Sequence, residues 1–271
     1  MRNASTRGTF RPERLSGEPF FRWRGGDVSR LEGLADAVFA LALTLLVVRL
    51  DVPQTFGEVR FALARAPIYI GCFAIFLWIW YCHYQFHRRY GLEDPLTIAI
   101  DGAILFMVLL FAPPLRFVAE LMVPLVVGGA PVRRDLEGGV LVGADGAPLP
   151  AMVKDEGWLL MSLYAGGFAL LFGLFALQTW NALRRREALQ LDELEVAVTR
   201  GTIVAHTYSM CVGLVALAVA VFGQGLYWLS GPMFSLLGPG HAVLGARQYR
   251  RLAKLARALG PSADAARRAP G

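Results

Sequence analysis

Residues 30–51 read RLEGLADAVFALALTLLVVRLD, an apolar stretch whose interior carries one carboxylate, Asp36, and one hydroxyl, Thr44. Ser29 and Glu32 at its start have the spacing of a capping box, in which each side chain bonds to a free amide of the first helical turn. As a helix, the stretch is about 32 Å long, enough to cross a bilayer core of about 30 Å. A carboxylate inside such a span is costly, so Asp36 marks either a functional site or a structural polar cluster.

The composition is that of a membrane protein. Of the 271 residues, 55% are hydrophobic and 18% are charged, and the mean hydropathy is +0.47. This is too apolar for a soluble domain of this size. The net charge of +6 comes from basic residues that lie between apolar runs, so it reflects membrane topology, and we predict no nucleic-acid partner. No catalytic motif is present, so we predict no enzymatic activity and no cofactor.

Six apolar segments predict an all-α integral membrane protein with six transmembrane helices. The segments span about 33–49, 66–86, 96–123, 157–180, 202–221 and 225–246. The pair Pro113-Pro114 is expected to kink or end the third helix, because each ring removes a backbone donor. The three cysteines lie inside apolar segments without paired spacing, which indicates neither a disulfide framework nor a zinc site.

The distribution of basic residues predicts the orientation. With six spans, 20 of the 27 Arg and Lys residues fall on the side of the two termini, which places both termini in the cytoplasm. We therefore predict a multi-pass protein of the cell (inner or plasma) membrane. Its parts would be a basic cytoplasmic arm (1–28), a six-span domain (29–246) with an extracellular loop (129–157), and a basic cytoplasmic tail (247–271).

Two finer expectations concern the arm and the loop. The arm is expected to be mobile, with Phe20, Phe21 and Trp23 at the membrane interface. In the loop, Asp145-Gly146 is a good tight-turn pair and predicts a small hairpin.

Three histidines are candidate polar residues of the spans. His83 and His87 are four residues apart and share a helix face, a spacing that can hold a metal ion. No acidic or sulfur ligand lies near them in the sequence, so we interpret them as polar packing residues, like His206, and predict no metal site. For Asp36, the alternatives are a structural cluster of hydrogen bonds to another span and a proton relay.

The first apolar stretch resembles a known signature. Arg30, the triplet Leu34-Ala35-Asp36 and the run AVFALALTLL at 37–46 are similar to the first span of the transmembrane protein 175 family of potassium channels. That signature is Arg-x-x-x-Phe-Ser-Asp followed by a run of the type Ala-Val-Phe-Ala-Ile-x-x-Thr-Leu-Leu. This chain keeps Arg30 and Asp36 and has Leu34 and Ala35 where the signature has Phe and Ser.

The resemblance extends along most of residues 28–245. The pair Trp80-x-x-His83 in the second segment is similar to the family, as is a proline that ends an apolar third segment. The family builds a polar motif near the inner end of the first span, which here corresponds to Arg30, Asp36, Trp80 and His83.

The resemblance implies a homotetramer whose first spans surround a potassium pore. Selectivity would come from hydrophobic rings and a threonine layer: by distance from the motif aspartate, Leu41 is the narrow ring, Thr44 the threonine layer and Val48 a further apolar ring. Independently of the resemblance, these residues and Leu45 share one helix face. Leucine rings can close a pore by dewetting, and hydroxyls can partly replace an ion's water. Taken alone, Leu41 and Val48 are also typical of lipid-facing or core packing.

The sequence therefore predicts a potassium-conducting cation channel of weak selectivity, with K⁺ ions, the lipid bilayer and further copies of the same chain as partners. One alternative is a non-conducting membrane scaffold or sensor whose basic tail binds lipid or a partner. Another is a proton-coupled secondary transporter that uses Asp36 or Asp101. It would require inverted repeats, which the hydropathy does not show.

Overall fold

A computed structural model of the chain describes residues 18, 20–26, 28–47, 54–123, 132, 139–150, 156–223 and 225–268. Its helices are α1 (Arg30–Val47), α2 (Phe56–Tyr90), α3 (Pro95–Met122), α4 (Gly157–Arg184), α5 (Glu193–Phe222), α6 (Ser230–Met233) and α7 (Leu237–Arg268), with 3-10 turns at Tyr227–Leu229 and Phe234–Leu236. The described residues thus form a helical bundle, as the sequence predicts.

Four helices, α2 to α5, are long and apolar enough to cross a membrane. Neither α1 nor α7 is among them in the described part of the chain. The 18 described residues of α1 include three charged side chains, Arg30, Glu32 and Asp36. Four of the six predicted spans are therefore found as apolar membrane-length helices.

Side chains at the helix starts explain where three of the helices begin. Thr55 precedes α2 and its hydroxyl accepts an amide of the first turn. Asp94 does the same for α3, whose first residue is Pro95. Asp192 and Glu195 form a full capping box at the start of α5. Each cap satisfies amides that would otherwise have no partner.

Of the two predicted effects of Pro113-Pro114, a kink or an end of the third helix, the second is wrong. Helix α3 continues through both prolines to Met122. A second internal proline, Pro67, lies within α2. In a bundle of apolar helices, neighbouring elements compensate for the lost backbone bonds, so prolines interrupt a span less than they would a helix in water.

The sixth predicted span, at about 225–246, is not one helix. The chain instead forms short helical turns from Tyr227 to Leu236 and then enters α7, which extends into the predicted tail. Pro232 lies within the short turns and Pro239 near the start of α7. Each proline lacks an amide hydrogen, which favours short turns over one continuous ladder.

The predicted tight turn is present in the loop. The amide of Gly143 donates to the Ala147 carbonyl at 2.8 Å, and Gly146 has a positive φ of 75°. The Asp145 side chain accepts the Ala147 amide at 3.1 Å. Glycine adopts this φ without the strain of a side chain, which is why the Asp-Gly pair predicts the turn.

The aromatic residues of the N-terminal arm do not all have the predicted position. Phe21 is buried, and its ring contacts that of Tyr90 edge-on at 5.5 Å. Phe20 contacts Tyr249 of α7 at 5.8 Å, and Trp23 contacts Tyr84 of α2 at 6.0 Å. The expectation of a ring at the membrane interface is therefore wrong for Phe21, which is buried, and it stays a prediction for Phe20 and Trp23.

The core lies between α1, α2, α3 and α4. Its buried members include Phe39, Phe76, Ile104 and Phe172, one from each helix. Helix α4 also packs along the length of α5, and α7 packs on α5. Helix α1 thus lies on α2 and α3 at one side of the bundle.

Candidate functional site

Helix α1 has one covered face and one uncovered face. The covered face consists of Ala35, Phe39, Ala42 and Leu46, each no more than 1% exposed. Their spacing of four, three and four residues follows one side of an α-helix. This side packs on α3 and α2.

The opposite face of α1 carries the residues predicted to line a pore. Leu41 is 50% exposed and Leu45 is 43% exposed. Thr44 lies between them and is also exposed, and Val48 lies outside the described residues. Leu34, which replaces the phenylalanine of the signature, continues the stripe at 56% exposure. The part of the chain that the structure describes therefore leaves this apolar stripe open to contact with lipid or with other copies.

The Thr44 hydroxyl has a defined orientation. It donates its hydrogen to the carbonyl of Ala40, one turn earlier in α1, at 2.8 Å. Since that bond uses the hydrogen, the lone pairs of the oxygen point away from it and can accept a cation or a donor.

Two residues of the predicted polar motif meet directly. The indole Nε1 of Trp80 donates to Asp36 Oδ1 at 2.8 Å, which ties α1 to α2. Asp36 is otherwise exposed, and so is Arg30 at the start of α1. Ala35, which replaces the signature serine, is 1% exposed and faces the core.

The start of α1 is held by a different ion pair. Ser29 Oγ accepts the Glu32 amide at 3.1 Å, which is one half of the predicted capping box. The Glu32 carboxylate pairs with Arg88 Nη2 of α2 at 3.3 Å. The Glu32 side chain, which was expected to close the capping box, thus contacts α2.

His83 does not contact Asp36 but lies deeper in the bundle. Its Nε2 is 3.2 Å from Asp101 Oδ1, and Nε2 of His87 is 3.1 Å from Asp101 Oδ2. Gln178 of α4 donates to the same carboxylate. Asp101 and Gln178 are 0% exposed, and both histidines are 3% or less. The prediction that no acidic group lies near the two histidines holds along the sequence but not in three dimensions.

A second polar cluster joins α3 to α4 at the start of α3. Asp94 accepts from Thr97, Asn181 and Arg185, the last at 2.9 Å. Burial alone would raise the pKa of Asp94, but the hydrogen bonds from Thr97 and the charge of Arg185 outweigh it and lower the pKa.

A third cluster lies at the opposite end of α3. Arg65 of α2, 2% exposed, binds the Glu120 carboxylate at 3.0 Å. Tyr69, one turn further along α2, donates to the same carboxylate at 2.5 Å. Polar pairs thus hold α3 near both of its ends, to α4 at its start and to α2 at its end.

The chain is similar to proteins described as potassium channels. One from Marivirga tractuosa is 30% identical over 246 residues, which cover 86% of this chain and 94% of that protein. One from Chamaesiphon minutus is 30% identical over 105 residues, or 36% of this chain and 52% of that protein. The family model "Endosomal/lysosomal potassium channel TMEM175" matches residues 30–113, which include α1, α2 and most of α3.

Among solved structures, the chain resembles the potassium channel MtTMEM175, crystallised as a threonine-to-alanine variant in complex with a nanobody–MBP fusion protein. The TM-score is 0.69 at 29% identity, over 86% of this chain and 98% of that one. The likeness therefore includes the three-dimensional arrangement as well as the sequence.

Proposed function

Because the chain belongs to the TMEM175 family, we propose that it is a potassium channel of the cell membrane. Four copies would assemble with α1 of each around a central pore. The observation that carries the proposal is the relation to the Marivirga tractuosa potassium channel across 94% of that protein's length. The uncovered apolar stripe of α1 supports the placement of this helix at the axis.

Leu41, Leu45 and Val48 would form the apolar wall of the pore. Leu41 and Leu45 are half exposed in the single chain, while the other side of α1 is fully covered. A fourfold arrangement would bring the exposed leucines of four chains together. A ring of leucines excludes water from a narrow passage, so Leu41 would act as the hydrophobic gate.

Thr44 would form the polar ring that an ion meets next to this gate. Its hydroxyl hydrogen is bonded to Ala40, which leaves oxygen lone pairs for a potassium ion. Four hydroxyls replace only part of the hydration shell and form no rigid cage of carbonyls. We therefore propose that the channel prefers potassium over sodium only weakly.

The residues of the polar motif would position the pore helix without touching the ion. The bond from Trp80 to Asp36 fixes the distance between α1 and α2 near one end of α1. His83 supports α1 from behind, with its ring centroid 5.9 Å from that of Phe39. Arg30 would complete this motif by contact with a neighbouring copy.

Both termini would lie in the cytoplasm. This orientation is supported by the sequence alone, in which 20 of the 27 Arg and Lys residues fall on the side of the termini when six spans are assumed. Six spans require α1 and the segment around the start of α7 to cross the membrane in the assembled protein.

The test is ion flux in liposomes that contain the purified protein. We expect potassium flux from the wild type, a higher flux from Leu41→Ala because the apolar ring is widened, and a lower preference for potassium over sodium from Thr44→Ala. Leu170→Ala on α4 is the matched control, since this leucine is 53% exposed but lies on another helix. An absence of potassium flux in the wild type would contradict the proposed function.

The alternatives predict other outcomes of the same experiment. A scaffold or sensor gives no flux in any variant, and a proton-coupled transporter gives flux that depends on a pH gradient. No described residue gives a specific reason to prefer either alternative.

A further inference from the structure

His83, His87 and Asp101 form a cluster of ligand-type side chains away from the proposed pore face. The histidines lie on successive turns of α2, and Asp101 faces them from α3. Their ligand atoms all lie within 4.8 Å of one another, and all three residues are buried. Ionisable side chains are costly and rare inside a membrane bundle, so three of them this close together require an explanation.

The contacts between the members of the cluster are close. The two N–O separations are 3.2 and 3.1 Å, which places both histidines at ion-pair distance from Asp101. An imidazole nitrogen that faces a carboxylate oxygen must hold either a hydrogen or a cation between them. Oε1 of Gln178 is buried beside them without a hydrogen-bond partner. A buried polar atom without a partner costs about 1–3 kcal/mol, so this oxygen and the converging ligand atoms point to a cation that they share.

The donor set and the distances fit a zinc ion. Two imidazole nitrogens and a carboxylate are ligands that Zn²⁺ takes with bonds of about 2.0–2.2 Å. Tetrahedral bonds of that length put neighbouring ligand atoms about 3.3 Å apart. The observed separations of 3.2 and 3.1 Å run from the two nitrogens to different oxygens of Asp101, and one ligand atom from each residue lies within 4.8 Å of the other two, close enough for one ion to contact all three.

Gln178 completes the arrangement from α4. Its Nε2 donates to Asp101 Oδ1 and so orients the carboxylate. Ligating carboxylates in metal sites are themselves held by such hydrogen bonds. The unpartnered Gln178 Oε1 is the nearest described candidate for a fourth ligand in the cluster, alongside a water molecule.

We propose that His83, His87 and Asp101 bind one Zn²⁺ ion per chain. The ion joins α2 to α3 directly behind α1, since the His83 ring packs on Phe39. Its role is structural: it fixes the two helices that support the covered face of α1. Zinc binding at this site does not depend on ion conduction, because none of the ligands lies on the uncovered stripe of α1.

The test is metal binding by the full-length protein in detergent. After the protein is stripped with a chelator, Zn²⁺ is titrated by calorimetry, and bound zinc is measured by elemental analysis after desalting. We expect one zinc per chain, a higher Tm in the presence of zinc, and a loss of affinity of more than about 100-fold for His87→Ala and for Asp101→Asn. Gln178→Leu removes the hydrogen bond to Asp101 and the candidate fourth ligand but none of the three main ligands, and should lose about 10–100-fold.

The chain offers a matched control because it has four histidines. The double variant His206→Ala, His241→Ala removes the two outside the cluster and should keep one zinc per chain. Cobalt(II) in place of zinc provides a readout of coordination: tetrahedral binding gives intense visible absorption bands in the wild type, which should be missing in His87→Ala.

Two outcomes would overturn the proposal. One is a wild-type protein that binds no zinc, in which case the cluster is held by a shared proton or a water molecule. The other is zinc binding that persists in His87→Ala and is lost in the control. Because zinc content is measured without ion flux, a failure of this proposal is distinguishable from a failure of the proposed channel function.

Discussion

At the scale of single residues, polar side chains between the helices are paired across helix boundaries. Trp80 of α2 bonds to Asp36 of α1, and Arg65 of α2 pairs with Glu120 of α3. Asp94 at the start of α3 pairs with Arg185 at the end of α4. Hydrogen bonds between transmembrane helices contribute about 0.6 kcal/mol on average and up to about 1.7 kcal/mol. Each pair therefore contributes little to the free energy of unfolding, and its main effect is to fix the positions of the two helices.

The bond between Trp80 and Asp36 is testable by Trp80→Phe, which keeps an aromatic ring but removes the donor. We expect a loss of about 1 kcal/mol, or about 2–4 °C in Tm for a protein of this size. Trp158→Phe, at an indole 46% exposed at the start of α4, is the control and should leave Tm unchanged. Equal shifts in the two variants in a thermal melt would mean that the hydrogen bond contributes nothing.

The Asp94 cluster predicts a pH dependence. Because the folded protein lowers the pKa of Asp94, the carboxylate stabilises the fold above its unfolded-state pKa of about 3.9, and this contribution disappears as the pH falls through the lower folded pKa. Asp94→Asn retains a capping side chain without the charge. The wild type should therefore have the higher Tm at neutral pH, with the difference shrinking below about pH 4 and vanishing once the pH is below the lowered folded pKa. A difference that stays constant over this range would contradict the assignment.

At the scale of elements, the N-terminal segment 20–26 is attached to the start of α5. Glu195, 0% exposed, accepts from Arg22 at 3.0 Å and from Arg24 at 2.6 Å while it also closes the capping box with Asp192. A single buried carboxylate thus joins a helix start to a segment more than 160 residues earlier in the chain. Removal of an arginine leaves the buried Glu195 carboxylate with fewer partners, and an uncompensated buried charge destabilises the folded protein.

Arg24→Ala is therefore expected to reduce the free energy of unfolding by about 1.5–3 kcal/mol, the range for hydrogen bonds to charged groups. Adding Glu195→Gln to this variant removes the charge and should recover part of the loss. Arg200→Ala, at an exposed arginine on the same helix, is the control. The measurements are chemical unfolding and the rate of tryptic cleavage at Arg22. A double variant less stable than Arg24→Ala would contradict the argument.

At the scale of the whole molecule, the bundle is asymmetric around α1. One face of this helix contributes to the core, while the described residues leave the stripe of Leu34, Leu41, Thr44 and Leu45 about half exposed or more. Lipid alone could cover the leucines, whereas the oxygen lone pairs of Thr44 that remain beside its bond to Ala40 are used only where they meet water, an ion or a donor.

Disulfide cross-linking tests whether this stripe faces other copies. In a variant with Cys72, Cys82 and Cys211 replaced by alanine, Thr44→Cys should form disulfide-linked dimers on mild oxidation, because four copies would bring these positions together at the axis. Ser162→Cys, at a half-buried serine on α4, should stay monomeric on a denaturing gel. Native mass spectrometry should give the mass of four chains. A monomer mass and no cross-linking at position 44 would contradict the assembly.

The sequence by itself determines the helices and the faces they present. The apolar segments, the capping side chains and the 3.6-residue period of α1 act within about four residues along the chain, so the pattern predicted that Leu41, Thr44 and Leu45 share one face. The first-span signature, retained at Arg30 and Asp36, was sufficient to indicate the family.

Only the tertiary structure decided which polar groups meet. Asp101 is paired with His83 and His87, and Glu195 with Arg22 and Arg24, from separate segments of the chain. These pairings depend on how far each helix is rotated and shifted against its neighbours, which is set by packing of side chains from several helices at once. For the same reason, the sequence left open whether Pro113-Pro114 would kink or end the third helix, since the neighbours of α3, and not its own residues, stabilise it there.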